Sequence, residues 1–154
     1  QEDRLRNDWL LLLGQRREWG QFADLHPHYR MSDDREVRCY ALLIGQIKGT
    51  APASAADDVR SNWYALRDAD DGCTHAAGEL YSYKKLSALD IWRKARLGAE
   101  ANRSRVVRAA VEIVAPEVLT QLKEVLDAPS KYLLARNMAG SRVRSAWARG
   151  RTAP

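Results

Sequence analysis

Few side chains in this 154-residue sequence combine types and spacings that chemistry requires. Two cysteines, Cys39 and Cys73, could close a disulfide or remain two buried thiols that behave as small hydrophobes; on the residues alone both alternatives stand. His26 and His28 flank Pro27, and two imidazoles in a turn could hold a metal. No carboxylate or thiol lies at a recognisable ligand spacing, so a surface turn is the expectation. The run Asp68-Ala69-Asp70-Asp71-Gly72 has the acidity of a calcium loop but neither the EF-hand spacing nor a closing Glu. Asp and Gly suit a turn there, and an Asp can cap the helix that follows. The pairs Asp33-Asp34, Asp57-Asp58 and Asp70-Asp71 fall at expected helix starts, where a carboxylate complements the helix dipole without any acid–base role. His75 stands beside small residues and is expected to be structural. There is no Gly-rich phosphate loop and no Gly-x-Ser-x-Gly elbow. No catalytic residue, metal ligand or cofactor is assigned.

The elements that must position these groups read as helices. Asp33 or Asp34 can cap a helix in which Val37, Tyr40, Ala41, Ile44 and Ile47 share one face, while Cys39, Leu42 and Leu43 form a second. A helix apolar on two sides sits between neighbours. Before it, Arg4 to Arg17 predicts a helix with Leu5, Trp9, Leu12 and Leu13 inward, widened by Leu10 and Leu11 to burial on two sides. A short helix around Phe22 should stop near Pro27. After Gly49, a good left-handed cap, Ser54 with Asp57 resembles a capping arrangement for a helix carrying Val59, Trp63 and Leu66. Cys73, Ala76, Ala77, Leu80 and Tyr81 define a fifth helix. Ser87 and Asp90 open a sixth with Ile91, Trp92, Ala95 and Ala99 inward, and Ser104 opens a seventh. Pro116 suits the first turn of an eighth carrying Val118, Leu119, Leu122, Val125 and Leu126; Pro129 starts a ninth, and Val143, Ala146 and Trp147 could form a last one.

This predicts an all-α fold of about nine to ten helices. Helices pair at intervals of roughly 30 to 36 residues, the range of helical-hairpin repeats, so an α-superhelix or solenoid is expected over 1–137, followed by a basic helix or tail at 138–154. Gly45, Gly78 and Gly98, each inside a predicted helix, are expected where helices approach closely. In such an array helices two apart in order lie side by side, which could bring Cys39 and Cys73 together.

Composition bounds the function. Hydrophobic residues make up 45% and charged residues 29%, which reads as a folded chain, and the longest apolar run, Trp9 to Leu13, is far too short for a transmembrane span. The net charge of +5 belongs to the end of the chain: Lys131, Arg136, Arg142, Arg144, Arg149 and Arg151 follow the last acidic residue, Asp127. The remainder is near neutral, so no nucleic-acid partner is expected.

The segments Leu5-Arg6-Asn7-Asp8-Trp9-Leu10, Gly14, Trp19-Gly20-Gln21-Phe22 and Glu36-Val37-Arg38-Cys39-Tyr40-Ala41 resemble the N-terminal superhelical region of bacterial soluble lytic murein transglycosylases. Asp71-Gly72-Cys73 resembles that family's second cysteine turn, and Ile91-Trp92-Arg93-Lys94-Ala95-Arg96-Leu97 a following helix. The resemblance covers most of residues 4–136. It implies a periplasmic protein, a curved array of helices and a Cys39–Cys73 disulfide. It also implies peptidoglycan glycan strands as partner through the parent enzyme, together with that enzyme's own catalytic domain.

The family cleaves the bond between N-acetylmuramic acid and N-acetylglucosamine, giving a 1,6-anhydro product. A lysozyme-like domain does this with one Glu as acid and then base. There the catalytic Glu is followed by Ser. None of Glu2, Glu18, Glu36, Glu79, Glu100, Glu112, Glu117 or Glu124 precedes Ser here, and the family's later Gly-Leu-Met-Gln and Ala-Tyr-Asn-Ala-Gly-like segments are missing. The expectation is a non-catalytic segment that shapes or positions peptidoglycan for a domain supplied elsewhere. A helical-repeat scaffold for protein partners is the alternative.

Overall fold

A computed structural model describes residues 1–121, and these are all-helical: seven α-helices and two short 3-10 turns, with no strand among the described residues. In order they are α1 (Glu2–Gln15), α2 (Trp19–Leu25), a 3-10 turn (His26–His28), α3 (Arg35–Lys48), α4 (Ala55–Ala65), α5 (Asp71–Ser82), α6 (Ala88–Glu100), α7 (Ser104–Val114) and a second 3-10 turn (Pro116–Val118). Residues 119–121 are helical again. This is fewer helices than expected. The ninth and last predicted helices, most of the eighth, and the basic segment 138–154 lie outside the described residues. Contacts divide the chain after Pro116, and the packing below concerns Gln1–Pro116.

Polar side chains set several helix starts. Asp34 caps α3 by accepting from the Val37 amide at 3.1 Å, Asp70 caps α5 by accepting from Cys73 at 2.6 Å, and Ser87 with Asp90 forms a full capping box on α6. Gly49 closes α3 at φ +74°, a left-handed position that suits a residue without Cβ. One expected cap is corrected: Ser54 makes no capping bond and instead donates to Asp58 at 3.0 Å, one turn on. α7 opens at Ser104 as expected, and Arg103 before it supplies no side-chain cap.

α3 lies against α1, α4 and α5; α5 also packs on α4 and α7; α4 packs on α6, and α6 and α7 form a close hairpin. Being covered on several sides explains why α3 buries Val37, Cys39, Tyr40, Leu43 and Ile44 rather than one narrow stripe. A cluster of Leu10, Leu13, Phe22, Tyr29, Val37, Tyr40 and Ile44 joins α1, α2 and α3.

Three sequence expectations fail here for packing reasons. α1 turns Leu10, Leu13 and Gly14 inward, while Leu5, Trp9 and Leu12 point outward at 70%, 55% and 36% exposure. The contact that decides this is Gly14: a Cβ there would stand 2.5 Å from the Tyr40 ring, so the ring sits directly on the helix backbone. Glycine is likewise enforced at Gly98, where a Cβ would meet Val106 at 2.7 Å, whereas Gly45 and Gly78 have ordinary room. Finally, α6 buries Ile91, Lys94, Ala95 and Gly98, leaving Trp92 and Ala99 exposed. The helix is rotated because the Lys94 stem lies inward and its Nζ donates to the carbonyls of Trp63 and Leu66, at 2.5 and 2.7 Å, at the end of α4.

Candidate functional site

Among the described residues, a dense polar network lies where the starts of α3 and α5 meet the residues that follow α1. Asp34 and Asp70 hold those two starts in place, and α3 and α5 then run side by side. Cys39 and Cys73 face each other across them and are bonded, sulfurs 2.02 Å and Cα atoms 4.8 Å apart. Both are fully buried, and neither cysteine is free.

Glu36, one turn before Cys39, accepts the backbone amides of Asp71 and Gly72 at 3.2 and 3.1 Å. A carboxylate on these first-turn amides satisfies donors that have no partner inside the helix and complements the positive end of α5. Gly72 is required by this approach, since a Cβ would stand 2.7 Å from Glu36 Cγ. The Tyr40 hydroxyl has one proton and donates it to Asp71 at 2.6 Å, leaving Glu36 at 3.4 Å as a longer contact. Arg17, at φ +59° just past α1, grips Asp71 with two guanidinium nitrogens and lies over the Trp19 ring. Asp71 thus ties together α1, α3 and α5.

The electrostatics follow from burial. Burial pushes the Asp70 carboxyl up to about 6, against the lowering effect of the Cys73 amide; Glu36 adds to the rise and Lys94 opposes it. At Asp71 burial also acts upward, but the Arg17 and Tyr40 bonds outweigh it and hold the carboxyl below its ordinary value. Tyr40 is raised, first by burial and then by its bond to Asp71. Lys94 is lowered by burial despite Asp70.

Beside this network a cleft of about 550 Å³ is lined by Arg17, Asp71, His75, Glu79, Glu112 and Ile113, among others. Its imidazole, His75, stacks on Trp19 and is lowered first by burial and then by Arg17, which favours the neutral ring. Thr74 in the same cleft accepts the Trp63 indole N–H at 3.2 Å. The arrangement joins the end of α1 to α3 and α5 through Arg17, Glu36, Tyr40 and Asp71.

The other sequence candidates are placed apart. His26 stacks on Phe22 and is lowered by burial, and His28 is exposed in the same 3-10 turn. Among the described residues no group of three or more His, Cys, Asp or Glu could hold a metal ion. Asp57 pairs with Arg60, which also reaches Asp90. Of the aromatics that could stack on a sugar ring, Tyr40 and Trp63 are buried in the core and Tyr81 is half-buried. Trp9 and Trp92 are exposed. Sequence reasoning missed Arg17, Glu36 and Lys94, whose partners lie 28 to 54 residues away. No periodic signal carries such pairings.

No family model matches the chain, and no curated protein and no solved structure matches it. No helix among the described residues is long and apolar enough to cross a membrane.

Proposed function

We propose that this chain is a non-catalytic, superhelical segment of a periplasmic soluble lytic murein transglycosylase. In that role it is a curved wall of helical hairpins that positions peptidoglycan strands for a lysozyme-like domain elsewhere in the enzyme. The observation that carries the reading is the Cys39–Cys73 disulfide between two helices that are next but one in order and run side by side. A buried bridge of this kind belongs to an oxidising compartment. The succession of α1 on α3, α3 on α5 and α5 on α7 supports the reading, because alternate helices of a hairpin array stack in this way. Exposed Trp9 and Trp92 supply flat apolar faces of the kind on which pyranose rings stack. The alternative, a scaffold for protein partners, is favoured by one observation, the apolar outer face of α1.

Co-sedimentation with purified peptidoglycan sacculi tests the reading. Retention above that of an unrelated helical protein of similar charge is expected, falling when Trp9 and Trp92 are replaced by Ala. Retention no greater than the control overturns a glycan-positioning role.

A further inference from the structure

We propose that the outer face of α1 pairs with the same face of a second copy of this chain, antiparallel about a two-fold axis, as a weak dimer. The proposal stands without the cell-wall reading.

An exposed face of α1, continued by its C-cap Arg16, carries Glu2, Leu5, Trp9, Leu12 and Arg16 at successive steps of three, four, three and four residues. This is the narrow seam of a two-stranded helix pair, apolar in the middle and charged at both ends. Leu5 and Trp9 are more than half exposed, and no helix of Gln1–Pro116 covers them. Large apolar side chains exposed together along one helix form a surface that a partner can cover.

The charges choose the partner and its direction. Glu2 has 88% of its side chain exposed, with a 3.8 Å contact to Arg6, and Arg16 is exposed at the far end of the seam. In a parallel pair Glu2 would meet Glu2 and Arg16 would meet Arg16. Antiparallel pairing instead sets Glu2 of each copy against Arg16 of the other, stacks the Trp9 rings near the axis, and aligns the helix dipoles favourably. Such a contact is self-complementary, as a two-fold interface must be. Its size limits its strength: a 14-residue helix offers less than the ~800 Å² per partner of a standard interface, so the dimer is a weak one.

Light scattering on the whole 154-residue chain, from about 5 to about 300 μM, reads the association directly. The mass should rise from 17.4 kDa toward twice that value with concentration. Trp9→Glu should stay monomeric throughout with an unchanged thermal transition, because the side chain is on the surface. Glu2→Arg and Arg16→Glu should each weaken self-association about fivefold to tenfold, while an equimolar mixture of the two should associate more tightly than either alone. A mass fixed at that of one chain at the highest concentration overturns the proposal. So does a Trp9→Glu chain that associates like the parent, or a mixture no tighter than its components.

Discussion

Replacing Cys39 and Cys73 together by Ala removes the covalent link between α3 and α5 while leaving their other ties in place. The bridge spans 34 positions of sequence, and in the chain-entropy model closing a loop of that length stabilises by about 4 kcal/mol. Both sulfurs are fully buried, so their loss also forfeits packing, bringing the expected loss to about 4–5 kcal/mol. The bonds from Glu36 to the Asp71 and Gly72 amides and from Tyr40 to Asp71 still join the two helices, so the variant should fold, with unchanged helical circular dichroism in water. At roughly 3–5 °C per kcal/mol for a domain near this size, its thermal midpoint should fall by about 12–25 °C. Urea titration is the sharper assay, because an unbridged unfolded chain exposes more surface and the slope should increase as the midpoint falls. Parent protein titrated in the presence of reductant keeps both sulfurs and should lose only the loop-closure part, about 4 kcal/mol. A loss below about 1 kcal/mol would refute the reasoning, since the non-covalent ties would then hold the unfolded chain nearly as well as the bridge does.

Two further outcomes follow from the same junction. Asp70, raised from 3.8 to about 6, binds its proton more tightly in the folded state, so its contribution is greatest below about pH 4 and declines as pH rises to about 6. Asp70→Asn keeps an oxygen for the Cys73 amide and removes the buried charge; it should be about 1–3 kcal/mol more stable than the parent at pH 7.5, with the gap closing toward pH 4, and a variant less stable at pH 7.5 would show the ionised cap to be net favourable. Gly14→Ala places a methyl 2.5 Å from the Tyr40 ring and should destabilise by about 1–3 kcal/mol in urea, despite the better helix propensity of Ala; a neutral or stabilising result would mean that the ring moves aside freely.

Much of the helical framework could be read from the residues because its signals are local. Asp34, Asp70 and the Ser87–Asp90 box announce starts, and Gly49 announces a stop. Other ends are closed at positive φ by Arg17 and Lys84, residue types that give no such warning, and by Asn102, a type that tolerates the left-handed region. Faces were harder to read than helices. α1 has two apolar sides of similar strength, and the choice between them is made by Tyr40, 26 residues on, settling against Gly14. In α6 a lysine reads as solvent-facing, yet Lys94 turns inward because two carbonyls at the end of α4 await a donor, and that rotates Trp92 out. The junction around Asp71 was illegible for the same reason, since its donors come from separate helices and meet only in the folded chain.

The inward turn of Lys94 also gives the molecule an internal clock. Its amine is spent on two carbonyls and shielded to 2% exposure, so an acylating reagent that readily marks Lys48, Lys84 and Lys85 finds this one silent while α4 and α6 stay together. Mass gained at that single residue over hours therefore counts the moments when the two helices part.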